Sequence, residues 1–170
     1  MKKVLIATVL FIFVFNLNTT AQTAQDKRIR VVAVFAHPDD ADSKMGGTAA
    51  LLAKMGVAVK FVALTNGDAG HYAEGGGVLG QRRREEAQRA AKKYGIDEYV
   101  VLNNHDGELL PDLNVRMQVI REIRKWNADV VLGLRPNDYH PDHRNAGKLV
   151  EDASYMVAVP NVAADVPALK

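Results

Sequence analysis

Two short runs of this chain concentrate groups that bind cations and move protons: His37-Pro38-Asp39-Asp40, and Asn137-Asp138-Tyr139-His140-Pro141-Asp142-His143. The chain has no cysteine, so any metal site must be built from imidazoles and carboxylates. Zinc in hydrolytic sites takes about three such ligands and keeps a further position for water. His37, Asp40 and His143 supply that set: the first two stand three apart on one turn, and the third arrives from the second run. Asp39, between two donors, is placed to act as general base on the water. Iron or another divalent ion fits the same nitrogen and oxygen donors. A bound metal lowers the pKa of water from about 15.7 to about 7, which is worth about 12 kcal/mol, whereas a general base adds roughly a hundred- to ten-thousand-fold. Loss of a metal ligand is therefore expected to hurt more than loss of Asp39. His71 and His105 are each isolated in polar loops and are expected to serve local hydrogen bonds.

Groups so far apart in the chain need rigid elements to bring them together. The apolar run from about Arg30 to Phe35 suits a strand buried on both faces. Further strands are expected over 57–64, 99–102 and 129–134, with helices over 45–54, 81–94 and 115–126. This alternation predicts an α/β fold, a Rossmann-like parallel sheet with helices on both faces and right-handed crossovers. Ligands of such sheets gather beyond the carboxyl ends of the strands. The loops starting at Ala36, Thr65, Asn103 and Arg135 should therefore share one edge. The long loop from Thr65 to Gly80, with Gly75, Gly76 and Gly77, is expected to form a flexible lip. It lacks the lysine and hydroxyl pair of a phosphate loop.

His37-Pro38-Asp39-Asp40 after a hydrophobic strand, Gly46-Gly47-Thr48 opening the next helix, and His140-Pro141-Asp142-His143 further on together resemble the LmbE-like (PIG-L type) de-N-acetylases, from about Arg30 to the end of the chain. The resemblance implies a zinc-dependent hydrolase that removes N-acetyl groups from an N-acetylglucosamine-type amino sugar. It implies that His37, Asp40 and His143 bind zinc, that Asp39 deprotonates the water, and that His140 steadies the oxyanion or protonates the leaving amine. It also implies that Asp106 contacts sugar hydroxyls and that Arg82 helps position substrate, while the neighbouring Arg83 and Arg84 are read as a solvated face beside Glu85 and Glu86. Ala41 departs from the family, many of whose members carry glutamate there. The family pattern also leads to the expectation that the domain, 30–170, is incomplete at its C-terminus. The alternatives are an amidase acting on another sugar-linked amide, or a non-catalytic fragment that binds metal or carbohydrate.

At the N-terminus, Lys2 and Lys3 precede an uncharged apolar run from Val4 to Phe15, followed by small and polar residues up to Ala21. This is the shape of a signal peptide over 1–21, too short for a membrane span of about 20 apolar residues. Residues 22–29 would form a linker. The expectation is an exported protein, periplasmic or extracellular, with no stable membrane anchor. The whole chain carries 22 basic and 20 acidic residues, so removing Lys2 and Lys3 leaves the two signs balanced. A neutral mature chain gives no reason to expect nucleic acid or an anionic membrane surface as a partner.

Overall fold

The structure is a computed structural model, described for residues 28–170. The expected signal peptide and most of the linker lie outside the described residues. Eight elements alternate: β1 (Arg30–Phe35), α1 (Asp40–Lys54), β2 (Ala58–Thr65), α2 (Gly76–Tyr94), β3 (Glu98–Asn104), α3 (Leu113–Trp126), β4 (Val130–Gly133) and α4 (Pro141–Met156). No helix among the described residues is long and apolar enough to cross a membrane.

The four strands form one parallel sheet in the order β3-β2-β1-β4. β2 is buried along its whole length and β1 nearly so, which is why both are largely apolar; Lys60, the one charge inside β2, is paired with Glu122 at 2.8 Å. On one face, Ala41, Met45 and Ala49 of α1 and Ala87 and Ala91 of α2 pack on Ala33, Phe35, Phe61 and Ala63. On the other, Val115, Val119, Ile120 and Ile123 of α3 and Ala146, Leu149 and Ala153 of α4 pack on Val32, Val34, Val62 and Leu64. The chain steps outward from β1 to β3, then returns to the far side of β1 to place β4. This reversal opens a crevice above β1 and β4, the place where open α/β sheets bind ligands.

Two helices begin earlier than expected. α1 starts at Asp40, not Met45, because Ala41, 1% exposed, extends the apolar stripe of Met45 and Ala49 back by one turn. Asp40 and Asp42 in that first turn also suit the positive end of the helix dipole. α2 starts at Gly76, not Gln81, because buried Leu79 adds a turn to the stripe of Ala87 and Ala91. Gly76 and Gly77, expected in a flexible lip, are therefore helical, and the loop after β2 is correspondingly shorter.

α4 is pressed against the exit of β4. A Cβ on Gly147 would lie 2.5 Å from the Leu134 carbonyl oxygen and 2.9 Å from the Arg135 carbonyl carbon. That backbone has nowhere to yield without moving the loop that carries Asp138. Arg124 of α3, 4% exposed, donates to the carbonyls of Met156, Val157, Val159, Val162, Ala163 and Val166, and so pins the segment after α4. Gly147→Ala is expected to destabilise the fold by roughly 1–3 kcal/mol through overpacking, seen as a lower midpoint in urea unfolding with an unchanged slope.

Candidate active site

All four loops at the carboxyl end of the sheet meet, as the strand alternation requires. The Thr65 amide donates to the Ala36 carbonyl at 2.8 Å and the Asn66 amide to the Asn104 carbonyl at 2.9 Å, so the loops leave the sheet in contact. Together they enclose a cavity of about 210 Å³, with His37, Asp39 and Asp40 from the first loop and helix turn, Gly67 and Gly70 from the second, Asp106 from the third, and Tyr139, His140 and His143 from the fourth.

At its floor, one buried carboxylate joins two imidazoles. Asp40, 4% exposed, has Oδ2 3.1 Å from His37 Nδ1 and Oδ1 3.1 Å from His143 Nε2. The His37 amide also donates to Oδ2 at 2.8 Å, so the turn between the two residues is closed by the carboxylate itself. The outer nitrogens of both rings are occupied in turn. His37 Nε2 faces Asp106 Oδ1 at 3.0 Å and Asp142 Oδ2 at 3.2 Å, and His143 Nδ1 faces Asp138 Oδ1 at 3.0 Å. Asp142, 1% exposed, accepts in addition from the amides of Gly107 at 2.8 Å and Leu109 at 3.3 Å. It therefore fastens the third loop to the start of α4.

This donor set fits a divalent cation. Carboxylate partners on the outer nitrogens are what fix ring orientation in metal sites with histidine ligands. Nitrogen atoms of His37, His140 and His143 also lie within 4.8 Å of one another, as do donor atoms of His37, Asp106 and Asp142. The rings of His37 and His143 each have one nitrogen tied outward and the other turned to Asp40, so the set expected from the sequence meets around that carboxylate. His140 is held differently. It caps α4, its Nδ1 accepting from the Asp142 amide at 3.1 Å, so in the neutral ring the proton sits on Nε2.

The electrostatics show the same demand for positive charge. Burial opposes a charged His37, but hydrogen bonds and charges from Asp106 and Asp40 outweigh it and push the imidazole up to about 10. Burial alone would raise Asp40, yet His37 and Lys44 hold its carboxyl well below the usual range. The His37 hydrogen bond likewise lowers Asp106.

The remaining residues divide clearly. Asp39 stands at the rim, its side chain 62% exposed, in an ion pair with Arg83. Asp106 lies in the cavity wall, turned to His37. Arg82 is not among the lining residues: it pairs with Glu74 at 2.7 Å, and its neighbour Arg83 reaches the cavity. Arg83 was legible, since it stands four residues from both Leu79 and Ala87 on the buried side of α2. Asp138 and Asp142 were visible as acidic neighbours of the histidines; Asp138 serves His143 of its own loop, whereas the role of Asp142 depends on contacts with His37 and the third loop. His71 accepts from the amides of Ala73 and Glu74, and His105 pairs with Asp68 at 2.8 Å, both away from the cluster.

Residues 32–154 match the PIG-L family, described as GlcNAc-PI de-N-acetylase. The chain belongs to this family. It is 35% identical over 138 residues to a diacetylchitobiose deacetylase of Thermococcus kodakarensis, covering 78% of this chain and 51% of that protein. The fold is similar to an N,N'-diacetylchitobiose deacetylase of Pyrococcus horikoshii solved with its inhibitor, with a TM-score of 0.76 and 31% identity over 82% of this chain and 56% of the other. It is also similar to a 4-carboxy-2-hydroxymuconate hydratase of Pseudomonas putida, with a TM-score of 0.72 and 26% identity over 84% of this chain and 61% of the other. The chain thus spans about half the length of the deacetylases it matches.

The raised His37 gives the metal-free fold a pH dependence of defined sign. A histidine moved from 6.5 to about 10 contributes its full stabilisation below pH 6.5, and the contribution is lost as pH rises through about 10. In chelator-treated protein, unfolding free energy should fall between pH 6 and pH 10.5 by on the order of 3–5 kcal/mol more in the parent than in His37→Gln.

Proposed function

We propose that this PIG-L family chain is a metal-dependent hydrolase that removes the N-acetyl group of an amino sugar, with zinc as the ion, acting outside the cytoplasm. The observation that carries the reading is the pair of imidazoles sharing the Asp40 carboxylate at the floor of an open cavity. Its deacetylase relatives support the choice of substrate.

His37, Asp40 and His143 would hold the ion. When bound, it supplies Lewis acidity and makes water a competent nucleophile near neutral pH. Asp39, exposed at the rim and steadied by Arg83, takes a proton from the attacking water. The His140 ring, with its Nδ1 engaged in the helix cap, presents Nε2–H to the oxygen that gains negative charge. A bond forms between the water oxygen and the acetyl carbon, the carbon–nitrogen bond breaks, and the proton held by Asp39 passes to the departing nitrogen. Acetate and a free amino sugar result. Asp106, in the cavity wall, is placed to meet sugar hydroxyls.

A second reading draws on the likeness to the hydratase. The same carboxylate and imidazole would direct water at an activated double bond, and no acetate would be released.

The deciding experiment measures acetate release from a panel of N-acetylated amino sugars by the purified chain, with and without a chelator. Activity that is absent in every case, or that survives metal removal, would sink the proposal. Asp39→Asn should lower kcat by roughly a hundred- to ten-thousand-fold with metal content retained. His143→Ala should lose the metal, whereas His140→Ala should keep it; the reverse pattern would transfer the ligand role to His140. Mass spectrometry of the exported protein should find Gln22 at the mature N-terminus.

A further inference from the structure

Lys44 takes no part in the chemistry outlined above, yet it makes a very close contact with the proposed metal centre. It lies one helical turn after Asp40 on α1, so both side chains emerge on one face. Its Nζ is 2.5 Å from Asp40 Oδ1, the same oxygen that faces His143 Nε2 at 3.1 Å. The lysine approaches from behind. It does not line the catalytic cavity but an adjoining one of about 460 Å³, bounded by Phe35, Met45, Leu132 and Arg135.

We propose that Lys44 regulates the metal centre through its charge, lowering the affinity of the site for a divalent cation and so keeping the ion exchangeable. The inference rests on the metal-dependent reading above. A cation coordinated by Asp40 must share that carboxylate with the ammonium group and is repelled by it. The second oxygen of Asp40 is engaged by the amide and ring of His37. Those two contacts also fix the orientation of the carboxylate without help from the lysine. Metal affinity in oxygen-rich sites rises with the net negative charge of the ligands, so removing the lysine should tighten binding. If Lys44 were instead a supporting partner that orients its ligand, removal would weaken binding by about 10–100-fold. The two roles therefore differ in sign.

The test titrates the metal-stripped full chain with zinc against a chromophoric chelator, for the parent and for Lys44→Met, Lys44→Gln and Lys44→Arg, with Tm recorded to establish folding. Lys44→Met and Lys44→Gln should each bind zinc about tenfold more tightly and yield it more slowly to excess chelator, while Lys44→Arg stays close to the parent. Because Gln keeps a hydrogen-bond donor without the charge, tightening in Met alone would overturn the assignment to charge. Unchanged or weaker affinity in both neutral variants would overturn the inference and leave the metal reading standing. A parent chain that takes up no divalent ion would overturn both.

Discussion

Four carboxylates crowd around two imidazoles at one edge of the sheet, and the rest of the structure is organised to tolerate them. Asp40, Asp106 and Asp142 are buried, and the Asp138 side chain is only 6% exposed. Buried charge is costly unless it is paired and hydrogen-bonded. Here the pairing is supplied by His37, His143 and Lys44, by backbone amides, and by the first turns of α1 and α4, whose dipoles favour the negative charge of Asp40 and Asp142. The carboxylates around His37 push its imidazole up to about 10, so a proton there offsets part of their charge, and a divalent ion among the same donors would offset more.

The scaffold makes this possible by placing each donor where the backbone has little freedom. His37 follows immediately on β1, the most enclosed part of the sheet, and Asp40 and His143 sit in helical first turns. The connections are also cross-braced. Asp142 reaches from α4 to the loop after β3, and Asp40 reaches back to the amide of His37. A glycine at position 70 lets the second loop pass close to Asp106, since a Cβ there would meet its Oδ2 at 2.9 Å. Rigid support of this kind holds ligand geometry without an ion in place.

Every proposed donor and proton carrier, from His37 to His143, falls inside the span of the family match, 32–154. The proposed water activation would thus fall in the portion shared with the deacetylases, which is about half their length. The hydratase neighbour shows that the same fold also carries a different reaction of water.

The sequence by itself determined the two inner strands, since a strand buried on both faces must be largely apolar, and it marked two runs of candidate ligands by their residue types at strand ends. It also determined that those runs would share an edge, because parallel strands joined by helices place their exits together. It misplaced the starts of α1 and α2, where one buried residue, Ala41 or Leu79, prolongs a stripe that polar neighbours conceal. Only the tertiary structure decided that Arg83 and not Arg82 enters the cavity and that Asp142 braces His37. The reason is physical. Local propensity and periodicity act over a few residues, whereas these contacts depend on the strand order β3-β2-β1-β4, which brings β4 beside β1 across the length of the chain.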